Sequence, residues 1–284
     1  MNHTASRNAF HVLRFKNCGA IIVFLVVVLV GCGGKTVKLS PADRELLNPI
    51  LTRLQLNYDL TSTVRILQLV VSIEDKDNKE ELRESLWYKR SLKDGDLLHI
   101  QALGALNEPR VIAIAARDHL LLYFANEQEA IFERLEDGVL REVFGMDLRI
   151  SDVRSAIFAN PFLDGRTNEL ELESSGAKYV VKRPGGKAEH LEEITVLLRD
   201  GEPIVRQWNI QDRAENIIQR VEFSDYRDVG GVPRPHRVEI ERPIEHTRVV
   251  LKIIKPEINV EINDSKFDFK PFLTESTKIR TLQK

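Results

Sequence analysis

DLLHIQALGALNEPRVIAIAARDHLLLYFA, residues 96 to 125, is the stretch on which the fold class turns. Three short apolar runs, Asp96–Ala102, Arg110–Ala116 and His119–Ala125, are separated by Asn107-Glu108-Pro109 and Arg117-Asp118. Those separators carry turn chemistry, and the runs are rich in Leu, Ile and Val at strand length. A parallel pair needs a crossover of a dozen or more residues, which these connections do not provide. Antiparallel strands in a meander are the only arrangement that fits.

The pattern continues on both sides. Val64–Ile73 and Glu84–Leu92 precede it, the second ending at the turn Lys93-Asp94-Gly95, and Glu129–Arg134 follows it. Further on, Glu169–Glu173, Lys178–Arg183, Glu192–Arg199, Pro203–Ile210, Asn216–Ser224, His236–Glu241, Thr247–Lys255 and Glu257–Ile262 read as strands. Pro184-Gly185-Gly186, Asp200-Gly201 and Val229-Gly230-Gly231 mark joints between them. In the last strand Ile258, Val260 and Ile262 alternate with Asn259 and Glu261, which predicts one buried and one wet face.

Two helical segments interrupt the strands. Pro41–Asn57 opens with Ser40 as a cap, Pro41 in the first turn and the acids Asp43 and Glu45. Leu46, Leu47, Ile50, Leu51 and Leu54 form its apolar stripe, and Pro49 lies inside it. Glu136–Phe158 is the second, with Ser151 and Asp152 as a cap within it and Asn160-Pro161 as its stop. The sum is a mainly β, α+β domain. One strongly curved antiparallel sheet is covered by an N-terminal helix and an internal helical pair.

The chain has 284 residues, with 41 Lys and Arg against 43 Asp and Glu, 43% hydrophobic and 30% charged residues. This is the composition of a folded globular chain rather than a disordered or fibrous one. A net charge of −2 lacks the basic face that nucleic acid requires. Two cysteines exclude a disulfide framework.

The N-terminus carries its own message. Arg7, Arg14 and Lys16 precede an apolar run from Gly19 to Val30, too short at about 18 Å of helix to cross a hydrocarbon core of about 30 Å. Basic residues followed by a short apolar run make a secretory signal. Leu29-Val30-Gly31-Cys32 then reads as a lipobox, in which the Cys32 thiol accepts a diacylglyceryl group. The expected organisation is a signal peptide at 1–31, a lipidated tether at 32–40 and one domain at 41–284. Gly33 follows the cysteine, where an Asp retains lipoproteins in the inner membrane of enterobacteria. The expected address is therefore the outer membrane, facing the periplasm.

Motifs for covalent chemistry are missing from the sequence. His99, His119, His190, His236 and His246 show no helical zinc spacing, and no Gly-x-Ser-x-Gly elbow occurs. Cys18 leaves with the signal peptide and Cys32 is consumed by the anchor. No metal, no cofactor and no enzymatic activity are expected, and Trp87 and Trp208 read as core or cavity lining.

Two stretches resemble the LolB family of outer-membrane lipoprotein receptors, within the wider LolA/LolB lipoprotein-localisation superfamily. Leu97–Gly104 followed by Arg110–Ala116 is similar to that family's strand, protruding Leu-Gly loop and next strand. Phe144-Gly145-Met146-Asp147-Leu148-Arg149-Ile150, running into Ser151–Phe158, resembles its Gly-Met-Pro-x-Pro segment and following helix, with Asp147 and Arg149 in place of prolines. Gly230-Gly231-Val232-Pro233-Arg234-Pro235 is similar to the superfamily's closing turn.

The resemblance implies a monomeric half-open barrel that binds acyl chains of lipoproteins, receives them from a LolA-like periplasmic carrier and inserts them into the outer membrane. Leu103 and Gly104 fall in the insertion loop, with Leu106 beside them. From strand facing, the expected cavity lining is Trp87, Ile112, Leu121, Phe144, Ile157, Phe158, Trp208 and Phe223; period two fixes facing only up to a one-residue slip. The alternative is a structural or adaptor lipoprotein that docks a protein partner through its sheet edge or surface.

Overall fold

The computed structural model describes residues 39–135 and 150–280, apart from residues 92, 94, 105, 168 and 188. All of these belong to a compact unit, Thr36–Lys284. Cys32 and Phe144 lie outside the described residues.

Helix α1 (Pro41–Asp59) begins where the sequence predicts, with the Ser40 hydroxyl accepting from the Asp43 amide. Leu47, Ile50 and Leu54 are buried, whereas Leu46 lies half exposed beside the stripe. Arg53 holds the helix to the sheet through a bidentate pair with Glu202, at 2.6 and 2.8 Å.

Among the described residues, one sheet of fifteen strands organises the rest. A first meander comprises β1 (Thr63–Glu74), β2 (Lys79–Ser91), β3 (Gly95–Leu103), β4 (Pro109–Ala116), β5 (His119–Phe124) and β6 (Glu129–Arg134). The chain then passes through helix α2 (Ile150–Phe158) and a 3-10 turn at Pro161–Asp164. At the far edge it starts a second meander: β7 (Glu171–Ser175), β8 (Lys178–Pro184), β9 (Leu191–Arg199), β10 (Glu202–Gln211), β11 (Ile217–Val229), β12 (Val232–Arg242) and β13 (Thr247–Ile253). β13 returns to pair with β1, so the two meanders join at the middle of one curved, unclosed antiparallel sheet. The short β14 (Pro256–Ile258) also pairs with β1, and β15 (Lys278–Arg280) adds to β6 as the one parallel pair among the described strands.

Bulges decide which side chains share a face. In β1 the register slips between Ile66 and Leu69. Strict alternation would send Leu69 and Val71 to the face opposite Val64 and Ile66. The extra residue restores them to the same side and bends the strand. A second slip between Val205 and Gln207 keeps both Val205 and Trp208 on the inner face.

That inner face is the one α1 and α2 cover. Over β8–β12, α1 packs against Val181, Ile194, Val205, Val221 and Phe223, all fully or nearly fully buried. The opposite, outer face of β2–β6 is covered as well, by the C-terminal segment from Val260 to Leu273, which turns twice in 3-10 geometry at Asp264–Phe267 and Lys270–Phe272. Ile262 and Phe267 are buried against Trp87, Ile112, Ile114 and Leu121. Asn259 directs the crossing from one face to the other. At a φ of +55° it ends β14, its carboxamide oxygen accepts from the Ser62 amide, and its amide nitrogen donates to the Leu60 carbonyl. The predicted strand Glu257–Ile262 thus stops at Ile258; its alternation of burial is real, but it belongs to this crossing segment.

Candidate functional site

A cleft of about 230 Å³ lies between α2 and the inner face, just under the range of about 300–1,000 Å³ common for ligand pockets. Its floor is apolar: Ile66, Leu69, Leu86 and Ile100 from the first meander, and Val221, Val238, Ile240, Val249 and Leu251 from the second. Ala156 and Ile157 of α2 form the roof, and Trp208 closes one wall. Arg242, Gln219 and Thr247 stand at one end, and Glu84 interrupts the floor.

The roof is anchored at its C-terminal end. Phe158 meets Tyr58 and Tyr88 edge-on, with ring centroids at 4.8 and 5.0 Å, and the Arg234 guanidinium lies 4.7 Å from its ring centre. Burial pushes Arg234 down to about 10, so it stays charged at neutral pH while donating to the Thr61 hydroxyl at 2.7 Å. Arg154 pairs with Asp96 at 3.2 Å, and the Tyr88 hydroxyl donates to the same carboxylate. Beyond the helix, Ala159 at a φ of +49° turns the chain, and the Asn160 side-chain nitrogen donates to the Leu54 carbonyl of α1. A buried network of Arg183, Glu192, Asp164 and Arg166 then fixes the following turn to β8 and β9.

The structure sorts the expected lining residues into four groups. Ile157 and Trp208 line the cleft. Phe158 and Phe223 lie on the same side of the sheet, but Phe158 is the anchor of the roof and Phe223 is wholly covered beneath α1. Trp87, Ile112 and Leu121 are a correction: all three face outward, under the C-terminal segment. Phe144 is outside the described residues. The physical reason for the correction is that β4 and β5 are buried on both faces, Ile114 and Leu121 outward and Ala115 and Leu122 inward. Alternation carries no in-or-out signal in such strands.

The β3–β4 loop is also redistributed. Leu103 is the last residue of β3 and only half-buried, so it is not the tip. Leu106 is, with 90% of its surface exposed. The turn beneath it is well tied: the Gly104 amide donates to the Glu108 carbonyl at 2.7 Å, and the Leu106 amide donates to the Glu108 carboxylate at 2.8 Å. A side chain on Gly104 would meet that carboxylate, the end of a flexible side chain, and displace it.

Among the described residues no group of His, Cys, Asp and Glu is placed to hold a metal ion, and no helix is long and apolar enough to cross a membrane.

No family model matches the chain, and no curated protein matches it. Solved structures do. A DUF1329 family protein from Desulfovibrio piger superposes with a TM-score of 0.62 at 14% identity, covering 80% of this chain and 98% of the other. A domain described as an outer membrane lipoprotein-sorting protein, from Vibrio parahaemolyticus, gives 0.54 at 9%, covering 79% and 98%. A LolA superfamily protein from Nitrosomonas europaea gives 0.52 at 13%, covering 78% and 96%. At these identities the likeness is one of fold: the chain has the curved sheet and helical cover of LolA-like proteins.

Proposed function

We propose that this chain is a LolB-like outer-membrane lipoprotein, anchored by acyl groups on Cys32, facing the periplasm. In this reading it takes acyl chains of lipoproteins from a LolA-like carrier and helps insert them into the bilayer. It works as a monomer and without covalent chemistry. The observation that carries the reading is the apolar cleft beneath α2. Apolar burial there supplies affinity at about 25 cal/mol per Å², and competition with the bilayer supplies release. Support for the setting comes from structural neighbours described as a lipoprotein-sorting domain and a LolA superfamily protein. The sheet edge gives the adaptor alternative little help, because β7 has only five residues and carries Glu171 and Glu173, features that discourage strand addition.

In this reading Leu106, exposed at the tip of the β3–β4 loop, touches the membrane or a client. Glu at this position should leave folding within about 0.5 kcal/mol of the parent, since a side chain this exposed packs against little. Transfer of a lipoprotein from a soluble carrier complex to liposomes should fall severalfold. Undiminished transfer by Leu106→Glu removes the loop from the mechanism.

A further inference from the structure

We propose that Glu84 is the specificity group of the cleft, selecting chains joined through a hydrogen-bond donor, above all an amide, and rejecting those that end in a carboxylate or phosphate. The inference rests on the acyl-chain reading of the cleft and assigns the chemistry of the polar end.

Glu84 sits on β2 at the inner face, opposite Leu69 of β1 and Ala102 of β3, with Leu82 and Leu86 two residues away on the same strand. It makes no hydrogen bond or ion pair among the described residues. The cleft's other charged side chain is already committed: Arg242 donates to the Gln219 carboxamide at 3.0 and 3.2 Å and pairs with Glu245 at 3.2 Å. A carboxyl surrounded by apolar side chains is unfavourable unless something donates to it. Burial accordingly pushes Glu84 upward from the ordinary carboxylate range. An anionic headgroup beside it adds like-charge repulsion, whereas an N–H relieves the deficit.

An unmet acceptor in an apolar cleft suits a group that carries an N–H, and an amide supplies one without a charge. An N-acylated amine has that linkage; a free fatty acid has the carboxylate that Glu84 repels.

The test uses the full chain in phosphatidylcholine vesicles and three photoactivatable dodecyl probes: a primary amide, a methyl ester and a carboxylate. Labelling of cleft peptides is read by mass spectrometry and compared between variants, so partitioning into the vesicles cancels. The parent should favour amide over carboxylate by about tenfold. In Glu84→Gln that ratio should fall to about twofold or less through a gain in carboxylate labelling. Glu84→Leu, which suits its apolar neighbours, should bring amide labelling down to the methyl ester level. A ratio that Glu84→Gln leaves unchanged, with ester labelling intact, overturns the role of Glu84 while the cleft reading stands. If no probe labels the cleft of the parent, the acyl-chain reading itself fails.

Discussion

Truncating Phe158 to Ala tests whether α2 is a fixed roof or a loosely laid cover. The ring is 7% exposed and wedged between Tyr58, Tyr88 and the Arg234 guanidinium. Burial of a large apolar side chain contributes about 1.5–3 kcal/mol, each edge-on aromatic pair about 0.5–1.5, and the cation contact about 0.5–2. These overlap, and measured Phe→Ala losses of about 3–5 kcal/mol already contain them. Tyr88 is fixed by its bond to Asp96 and Arg234 by its bond to Thr61, so the site has little freedom to collapse. About 4 kcal/mol is the expected loss. Phe158→Leu, which keeps most of the bulk, should lose roughly half as much. Urea unfolding measures both, followed by the fluorescence of Trp208 in the cleft and Trp87 on the outer face. A loss below about 1 kcal/mol for the Ala variant would refute the anchoring of α2 and the cleft beneath it.

Two further expectations are simpler. Cys32→Ala should accumulate as an unprocessed precursor on immunoblots; a variant that is still cut and still partitions with membranes excludes the lipobox. His99 predicts a pH response. Burial lowers its pKa below the ordinary value of about 6.5. Its Nδ1–H, as the neutral ring, donates to the Lys266 carbonyl at 2.6 Å and pins the C-terminal segment. The unfolded chain therefore binds the extra proton first, so the His99 contribution is constant above about 6.5 and declines as pH falls from there toward the lower folded value. His99→Gln should flatten that part of the melting-temperature profile, and an unchanged slope removes His99 as its origin.

The sequence showed the strand meander, the position of α1, and the stop at Asn160-Pro161, because turn and cap chemistry act over a few residues. Facing was harder to read. In β1 the bulge after Ile66 reverses parity without any Gly or Pro to announce it. In β4 and β5 both faces are buried, so Ile112 and Leu121 gave no indication of which way they point. The outer cover was missed for a related reason. Residues 263–273 show neither helical nor strand period, because Phe267, Phe269, Phe272 and Leu273 reach the sheet from two 3-10 turns. The four aromatic and aliphatic residues within seven positions were the available signal. Glu84 was invisible as a site residue, since one acid in a charged strand looks like a solvated face until the register places it among Leu69, Leu86 and Ile100.

The inner face is filled solidly under α1 and incompletely under α2, and Ala156 is where the difference can be probed. Leu47, Ile50 and Leu54 of α1 project large side chains onto β8–β12. At the roof of the cleft, α2 presents Ala156 beside Ile157. Ala156→Leu adds three carbons. In a packed core such an insertion costs about 1–3 kcal/mol through forced rotamers and backbone shifts. Over about 230 Å³ of unfilled space the new side chain meets room instead, and each methylene it buries contributes up to about 0.8 kcal/mol. The variant should therefore melt no lower than the parent, while dodecyl methyl ester labelling of the cleft drops severalfold. Destabilisation beyond about 1.5 kcal/mol means that the inner face is as full under α2 as under α1. Stable protein with undiminished labelling means that acyl chains bind elsewhere.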